Sequence, residues 1–253
     1  MKIIALTHQG LNAKYDHNED SLVIDEQTIS MKDFDYTKSF LFKRRGVFAI
    51  CDGVGGNFGG EIASHAIAQV AVNYTKEHEI KNEMDVYTLA SAMKEGVENA
   101  HSEYGSKEMM STFVGLFINK KQLLFANIGD SPSFIFRNGE LKMMSILDTY
   151  YNKLIASGMP KEEVEKMETA HYITAAFGTE DFSSYSIHCL KDKPKRGDKY
   201  LLMSDGIYDY IQEDELCKLL NEYKNIKYLV KEMERIVLEK GANDNYSLIV
   251  IEY

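Results

Sequence analysis

The chain has no tryptophan, three prolines and three cysteines among 253 residues. With so few prolines and no Gly/Ser-rich or low-complexity stretch, no linker or repeat is visible, and the sequence reads as one domain spanning residues 1–253. Cys51, Cys189 and Cys217 are odd in number, far apart and lack any CxxC pair. That spacing excludes a disulfide framework and suits a reduced compartment, so the expected location is the cytoplasm. No run approaches the roughly 18 apolar residues of a membrane span, and the opening "MKIIALTHQG" is too short an apolar run for a signal peptide. Positive charge is also scarce: 29 Lys and Arg against 39 Asp and Glu leave a net charge of −10. Such a balance repels phosphate backbones and anionic bilayers, so neither nucleic acid nor membrane is an expected partner. The short basic clusters at 43–45 and 191–196 read as solvated loops.

What the chain does have is apolar residues, 44 % of the total, ample for a packed core. Strand-like runs at 3–6, 21–25 and 47–51 are followed by two stretches with a helical period. Ile62, Ala63, Ala66, Ile67, Val70 and Tyr74 form one stripe, and Val86, Leu89, Ala90, Met93, Val97 and Tyr104 another. Residues 112–144 read as two hairpins turning near Asn119 and at Asn138-Gly139. Helices are expected at about 147–156, 161–167, 213–223 and 226–240, and strands at 200–203 and 246–252. The segment "QTISMKDFDYTKSFLFKRR" has no clear form. Strands and helices in blocks, rather than in a βαβ rhythm, point to antiparallel sheets with helices on their outer faces.

The stretch "FAICDGVGGNFGGEIASHAIAQ", residues 48–69, is rich in glycine in the way of phosphate-binding loops. It is neither of the familiar ones. A dinucleotide fingerprint counted from Gly53 and Gly55 needs glycine where Phe58 stands, and a P-loop needs a Gly-Lys-Ser/Thr ending. Asp52 at the end of a strand is better read as a metal ligand, with the glycines letting the backbone turn so that a carbonyl such as that of Gly53 also faces the ion; the alternative is an ordinary Asp-Gly turn. Acidic residues flank apolar runs in four more places: "HNEDS" (Glu19, Asp20), "FANIGDS" (Asp130), "LLMSDGIYD" (Asp205, Asp209) and "GANDNYS" (Asp244, Asn245). Carboxylates collected at strand ends repel one another unless cations lie between them, and an all-oxygen set suits Mg²⁺ or Mn²⁺ rather than zinc.

The blocks "NEDS", "FAICDGVGGNFGGEIAS", "STFVGLFI", "LLFANIGDS", "ITAAFGTED", "LLMSDGIYD" and "NDNYSLIVI" occur in the order found in the metal-dependent serine/threonine phosphatases of the protein phosphatase 2C type. The chain resembles a bacterial member over nearly its whole length. The resemblance implies an α+β fold of two stacked antiparallel sheets flanked by helices on both outer faces. It implies two core Mn²⁺ or Mg²⁺ ions: Asp52 bridging them, Glu19 and the Gly53 carbonyl completing one, Asp205 and Asp244 holding the other. Asp130 matches the ligand of a third, weaker ion shared with Asp205, near Thr112. Asp20 and Asn245 would support the ligands or lie near the phosphate.

The implied activity is hydrolysis of phosphoserine and phosphothreonine in proteins. Paired divalent ions lower the pKa of a shared water to about 7, and the resulting hydroxide attacks phosphorus in line without a covalent phosphoenzyme. Cys51 is then a small buried residue, because a neighbouring carboxylate raises a thiol's pKa. Phosphorylated proteins would be the substrates and a serine/threonine kinase the counterpart.

Departures from the family pattern mostly remove positive charge. The arginine that grips phosphate is replaced by Tyr15, leaving Lys14 next door as a point charge in its stead. Pro132, Thr149 and Ala175 stand where arginine, histidine and arginine are expected, and Val54 where many eukaryotic relatives have histidine. His17 is the histidine considered for proton transfer. Two alternatives stay open: a pseudophosphatase or phosphate-sensing module that keeps the metals but turns over little, and a hydrolase of small phosphate esters.

Overall fold

The structure, a computed structural model, describes residues 1–12, 17–30, 35–42, 45–54, 59–179 and 187–253. In chain order its strands are β1 (Lys2–His8), β2 (Ser21–Ile24), β3 (Gln27–Ile29), β4 (Asp35–Leu41), β5 (Gly46–Cys51), β6 (Gly53–Val54), β7 (Met110–Ser111), β8 (Phe113–Ile118), β9 (Leu123–Ile128), β10 (Ser133–Arg137), β11 (Glu140–Met143), β12 (His188–Asp192), β13 (Lys199–Met203) and β14 (Tyr246–Glu252). Two six-stranded antiparallel sheets result, ordered β11-β10-β13-β14-β1-β4 and β12-β9-β8-β5-β2-β3, while β6 and β7 form a small ribbon.

Helices α1 (Gly60–Glu77) and α2 (Glu83–Tyr104) cover the second sheet, and α6 (Glu213–Glu222) and α7 (Ile226–Glu239), which follow the one-turn α5 (Asp205–Tyr208), cover the first. Between the sheets lie Ile3, Ala5, Leu22, Ile24, Phe48, Ile50, Val114, Leu116, Leu202, Ile249 and Ile251. The residues between them along the strands face the helices instead: Ile4, Leu6, Leu248 and Val250 on one side, Val23, Ala49 and Cys51 on the other. Both faces of the inner strands are therefore buried, and their period-two alternation runs between two apolar layers. That is why "SLVI" and "FVGLFI" read as unbroken apolar runs. The expected α/β/β/α layering is what forms.

Local chemistry sets the boundaries. Asn82 caps α2 by accepting from Met84 N and Asp85 N, while its own backbone N donates to Asp85 Oδ2. Thr149 caps the short helix α3 (Tyr150–Ala156), so that helix begins three residues later than the 147–156 expectation. Next, α4 (Lys161–Val164) and a 3₁₀ turn (Glu168–His171) lead back towards the second sheet. The helix expected to 167 ends at Val164, and the segment of unclear form contributes β3 and β4. The basic run at 191–196 begins inside β12 rather than in a loop. Among the described residues no helix is long and apolar enough to cross a membrane.

Candidate active site

Antiparallel pairing decides where the acidic segments meet. Opposite partners such as Ser21 and Cys51, Phe113 and Ile128, and His8 and Tyr246 put the ends of β1, β5 and β9 at the same edge of the sandwich as the starts of β2, β8 and β14. The end of β13 and the start of β10 join them, through Ser133 opposite Leu202. Segments leaving that edge carry Glu19, Asp20, Asp52, Asp130, Asp205 and Asp244. The structure thus brings together the acidic blocks found in the sequence.

Their electrostatics register the crowding. Burial pushes the Asp52 carboxyl well above the usual carboxylate range, and Asp205, Asp20, Asp130 and Asp244 push it further. Burial raises Asp205 likewise, with Asp130, Asp244 and Asp209 adding to it. Asp130 is pushed up to about 6, burial being the largest cause, with Asp209, Asp148 and Asp244 behind it. Asp244 is raised by burial and by Asp209.

Gly53 and Gly60 make room for these groups. A Cβ on Gly53 would lie 2.5 Å from the carbonyl oxygen of Gly60 and 2.8 Å from that of Glu19. One on Gly60 would lie 2.6 Å from Glu19 Oε2. Only glycine lets the start of α1, the β6 backbone and Glu19 come this close. A Cβ on Gly206 would fall 2.0 Å from the Asn245 carbonyl, so the same economy presses the turn carrying Asp205 against the Asp244 segment. Residues 55–58 lie outside the described residues.

Hydrogen bonds then fix the backbone. Thr112 N donates to Asp52 O at 2.8 Å, and Asp52 N donates to Thr112 Oγ1 at 3.2 Å. Glu19 N donates to Asn245 Oδ1 at 2.7 Å, and Asn245 Nδ2 donates to Gln9 O at 2.7 Å. Asn245 N in turn donates to Asp244 Oδ1 at 2.8 Å. Asp20 is buried, with Ser204 Oγ donating to its Oδ2 at 3.1 Å. Its Oδ1 is also buried and has no hydrogen-bond partner. Burial raises the Asp20 carboxyl, with Asp244 and Glu19 adding to it against hydrogen bonds from Ser247 and Ser204.

His17 joins the edge of this cluster. Its Nε2 lies 3.2 Å from Glu19 Oε1 and 3.3 Å from Glu61 Oε2. Glu19 is raised by burial, an effect that His17 offsets and that Glu61 and Asp244 reinforce. Lys14 and Tyr15 lie outside the described residues.

Two histidines that the sequence reading did not single out also reach the site's surroundings. His188 Nε2 stands 2.8 Å from Asp148 Oδ1, and His171 lowers the Asp209 carboxyl that burial raises. Neither has a neighbouring motif in the sequence; only the pairing of β12 with β9 brings His188 there.

The residues present fit divalent cations. The donor set is carboxylate and carbonyl oxygen, the chemistry hard ions prefer, and its buried charges destabilise one another, a repulsion that such ions would relieve. A thiol mechanism does not fit. Burial, reinforced by Asp20, pushes the Cys51 thiol far above its ordinary range.

A family model described as protein phosphatase 2C matches residues 34–245, and the chain belongs to that family. It is similar to the serine/threonine phosphatase stp of Listeria monocytogenes, 22 % identical over 213 residues that make up 81 % of this chain and 84 % of the relative. Against the serine/threonine protein phosphatase PstP of Mycobacterium tuberculosis it is 24 % identical over 212 residues, 81 % of this chain but only 40 % of the longer relative. Among solved structures, Stp1 of Staphylococcus aureus superposes with a TM-score of 0.81 at 21 % identity, covering 98 % of this chain and 94 % of that one. The catalytic domain of PstP in complex with two manganese ions gives 0.75 at 21 % identity, covering 99 % and 98 %.

Proposed function

We propose that this chain is a metal-dependent phosphatase acting on phosphoserine and phosphothreonine in proteins. The observation that carries the reading is the convergence, from both sheets, of six carboxylates at one edge of the sandwich, on a chain of the protein phosphatase 2C family. Asp52 would be shared between two divalent ions, with Glu19 and the Gly53 carbonyl on one and Asp205 and Asp244 on the other. Asp130, with Asp205, would hold a third. Mn²⁺ or Mg²⁺ bound there would supply a water acidified towards neutrality and neutralise charge on the phosphoryl oxygens.

The protein's own groups do the positioning. Thr112 holds the Asp52 backbone through paired bonds, so the carboxylate leaves the end of β5 in a fixed direction. Asn245 ties the Glu19 backbone to the Asp244 segment, which sets the spacing between the two halves of the ligand set. Cys51 points into the core beneath α1 and takes no part. Arg137 is engaged by Asp192 and Asp198, and Arg235 by Glu232 and Glu239. Neither is available to grip phosphate; Lys14, beside the position of the missing arginine, is the group proposed for that role.

The test is hydrolysis of a phosphothreonine peptide with Mn²⁺, with chelator, and by Asp52→Asn protein. Phosphate release that requires Mn²⁺ and is lost in both controls is expected. Folded, metal-loaded protein without turnover would refute the reading in favour of a phosphate-sensing module, and turnover restricted to small esters would favour the ester hydrolase.

A further inference from the structure

We propose that His188 is a positioning residue for the loop that carries Asp130, acting through Asp148; the inference rests on the phosphatase reading above and on Asp130 as a cation ligand. At the end of β9 the chain turns at Gly129, with φ of 103°, into Asp130. Asp148 grips that turn. Its Oδ2 accepts from Gly129 N at 2.9 Å, and its own amide donates to Gly129 O at 2.9 Å. The backbone carbonyl of Asp148 accepts from Thr174 N at 2.7 Å, which anchors the gripping residue itself.

The second carboxylate oxygen, Oδ1, faces His188 Nε2 at 2.8 Å. An ionised carboxylate can only accept, so the proton of this bond resides on Nε2. His188 opens β12, where it pairs opposite Asn127, two residues before Gly129. The Asn127 side chain donates to Ile146 O at 2.7 Å and accepts from Ile146 N at 3.0 Å. Edge strand β12 and the end of β9 thus brace residues 146–148 from two points. On the other side of the turn, Thr112 Oγ1 lies 2.9 Å from Ser131 Oγ, and a Cβ on Gly129 would lie 2.7 Å from Thr112 Cβ. The Asp130 loop is clamped between Thr112 and Asp148.

His188 decides what the free end of Asp148 does. The two oxygens of Asp148 are bound to different elements, one to the turn before Asp130 and the other to β12. Held by His188, the Asp148 carboxylate keeps one oxygen on the Gly129 amide and the other on the imidazole. Without that partner the carboxylate is free to rotate, and the turn loses the grip that aims Asp130. Groups that hold a ligand's orientation typically change metal affinity by about 10- to 100-fold when removed.

The experiment is a Mn²⁺ titration of the whole chain, reading free Mn²⁺ from its solution EPR signal, for wild type, His188→Ala, His188→Gln and Asp130→Asn. The weakest binding phase of His188→Ala is expected at about 10-fold higher Mn²⁺, with the tighter phases in place. Glutamine, whose Nε2 carries a donor at similar reach, is expected to restore most of the loss, and Asp130→Asn to abolish the phase. If His188→Ala leaves the weak phase where it is while Asp130→Asn removes it, the role of His188 is overturned and the phosphatase reading stands. If glutamine fails to rescue and both His188 variants melt lower, the residue only fills space. A weak phase that survives in Asp130→Asn removes the Asp130 assignment, and the proposal with it.

Discussion

The amide of Glu19 donates to the side-chain carbonyl of Asn245 at 2.7 Å across 226 positions of sequence. The bond ties one proposed ligand to the residue beside another, while Asn245 Nδ2 donates to Gln9 O and its backbone N to Asp244 Oδ1. Asn245→Ala is expected to leave the buried Glu19 amide without its acceptor, costing about 1–3 kcal/mol of stability. Mn²⁺ affinity should fall by about tenfold at the same time, because the group that orients the ligand is gone. Thermal melting and Mn²⁺ titration of the variant check both; unaltered affinity would show that Glu19 is aimed without Asn245.

Gly53→Ala is expected to be more damaging than a single methyl suggests. Its Cβ would press on the Gly60 backbone at 2.5 Å, and backbone cannot swing aside. Overpacking of this kind costs about 1–3 kcal/mol, and the shift it forces falls on the residue next to Asp52. Phosphatase activity should collapse in protein whose circular dichroism still shows the fold. Normal turnover would mean that the β6 backbone adapts more freely than its neighbours allow.

Removal of metal should invert the pH dependence of stability near neutrality. In metal-free protein the Asp52, Asp205, Asp130 and Asp244 carboxyls titrate above their unfolded values, Asp130 at about 6. The native state then binds more protons than the unfolded one, so stability is present at low pH and is lost as pH rises through the folded pKa values. Chelator-treated protein is expected to melt higher at pH 6 than at pH 8. Saturating Mn²⁺ stabilises the ionised forms and should remove or reverse that slope. A melting temperature of the metal-free protein that rises from pH 6 to pH 8 would contradict the crowding of these groups.

Cys51→Ala tests the dismissal of a thiol nucleophile. The substitution removes one buried sulfur from the layer beneath α1, a loss of about 1–2 kcal/mol. Turnover with Mn²⁺ should survive, and its abolition in stable protein would restore Cys51 as a candidate.

At the far end of the sandwich, Arg137 joins Asp198 of the β12–β13 turn at 2.8 Å and Asp192 at 3.3 Å. Arg137→Met would leave the buried Asp198 carboxylate without its cation, for about 3 kcal/mol. Because none of the proposed ligands lies there, chemical denaturation should show the loss while Mn²⁺ affinity stays put.

The residues that proved legible are those whose signal is local. Asp52, Asp130 and Asp205 each follow an apolar strand and flank a glycine, and that juxtaposition is visible in a few letters of sequence. The strands buried on both faces, β2, β5, β8 and β13, likewise announce themselves as apolar runs. What escaped notice lies at the margins: β3 and β4 end one side of each sheet, and β12 ends another. An edge strand packs one face at most, so "HCLKD" and "DYTKSFL" carry charge and polarity that read as loop. His188 was invisible for the same reason, since its meaning comes from the pairing of an edge strand with β9. The purpose of Gly53 and Gly60 was legible only in part: their number promised a close approach, but only the fold shows that Glu19 is what approaches.

The order of strands has a kinetic consequence. β14 lies between β13 and β1, more than 230 residues from β1 in sequence, in the middle of its sheet rather than at its rim. Until it slots in, β1 has no partner on that side, and Asp244 is not beside Glu19. Long-range pairing of this kind is the slow part of folding, because a large loop must close before the contacts that reward it exist. The proposed cation cluster therefore cannot assemble piecemeal: Asp244 joins it only when β14 pairs, so ion capture would report completion of the whole sandwich.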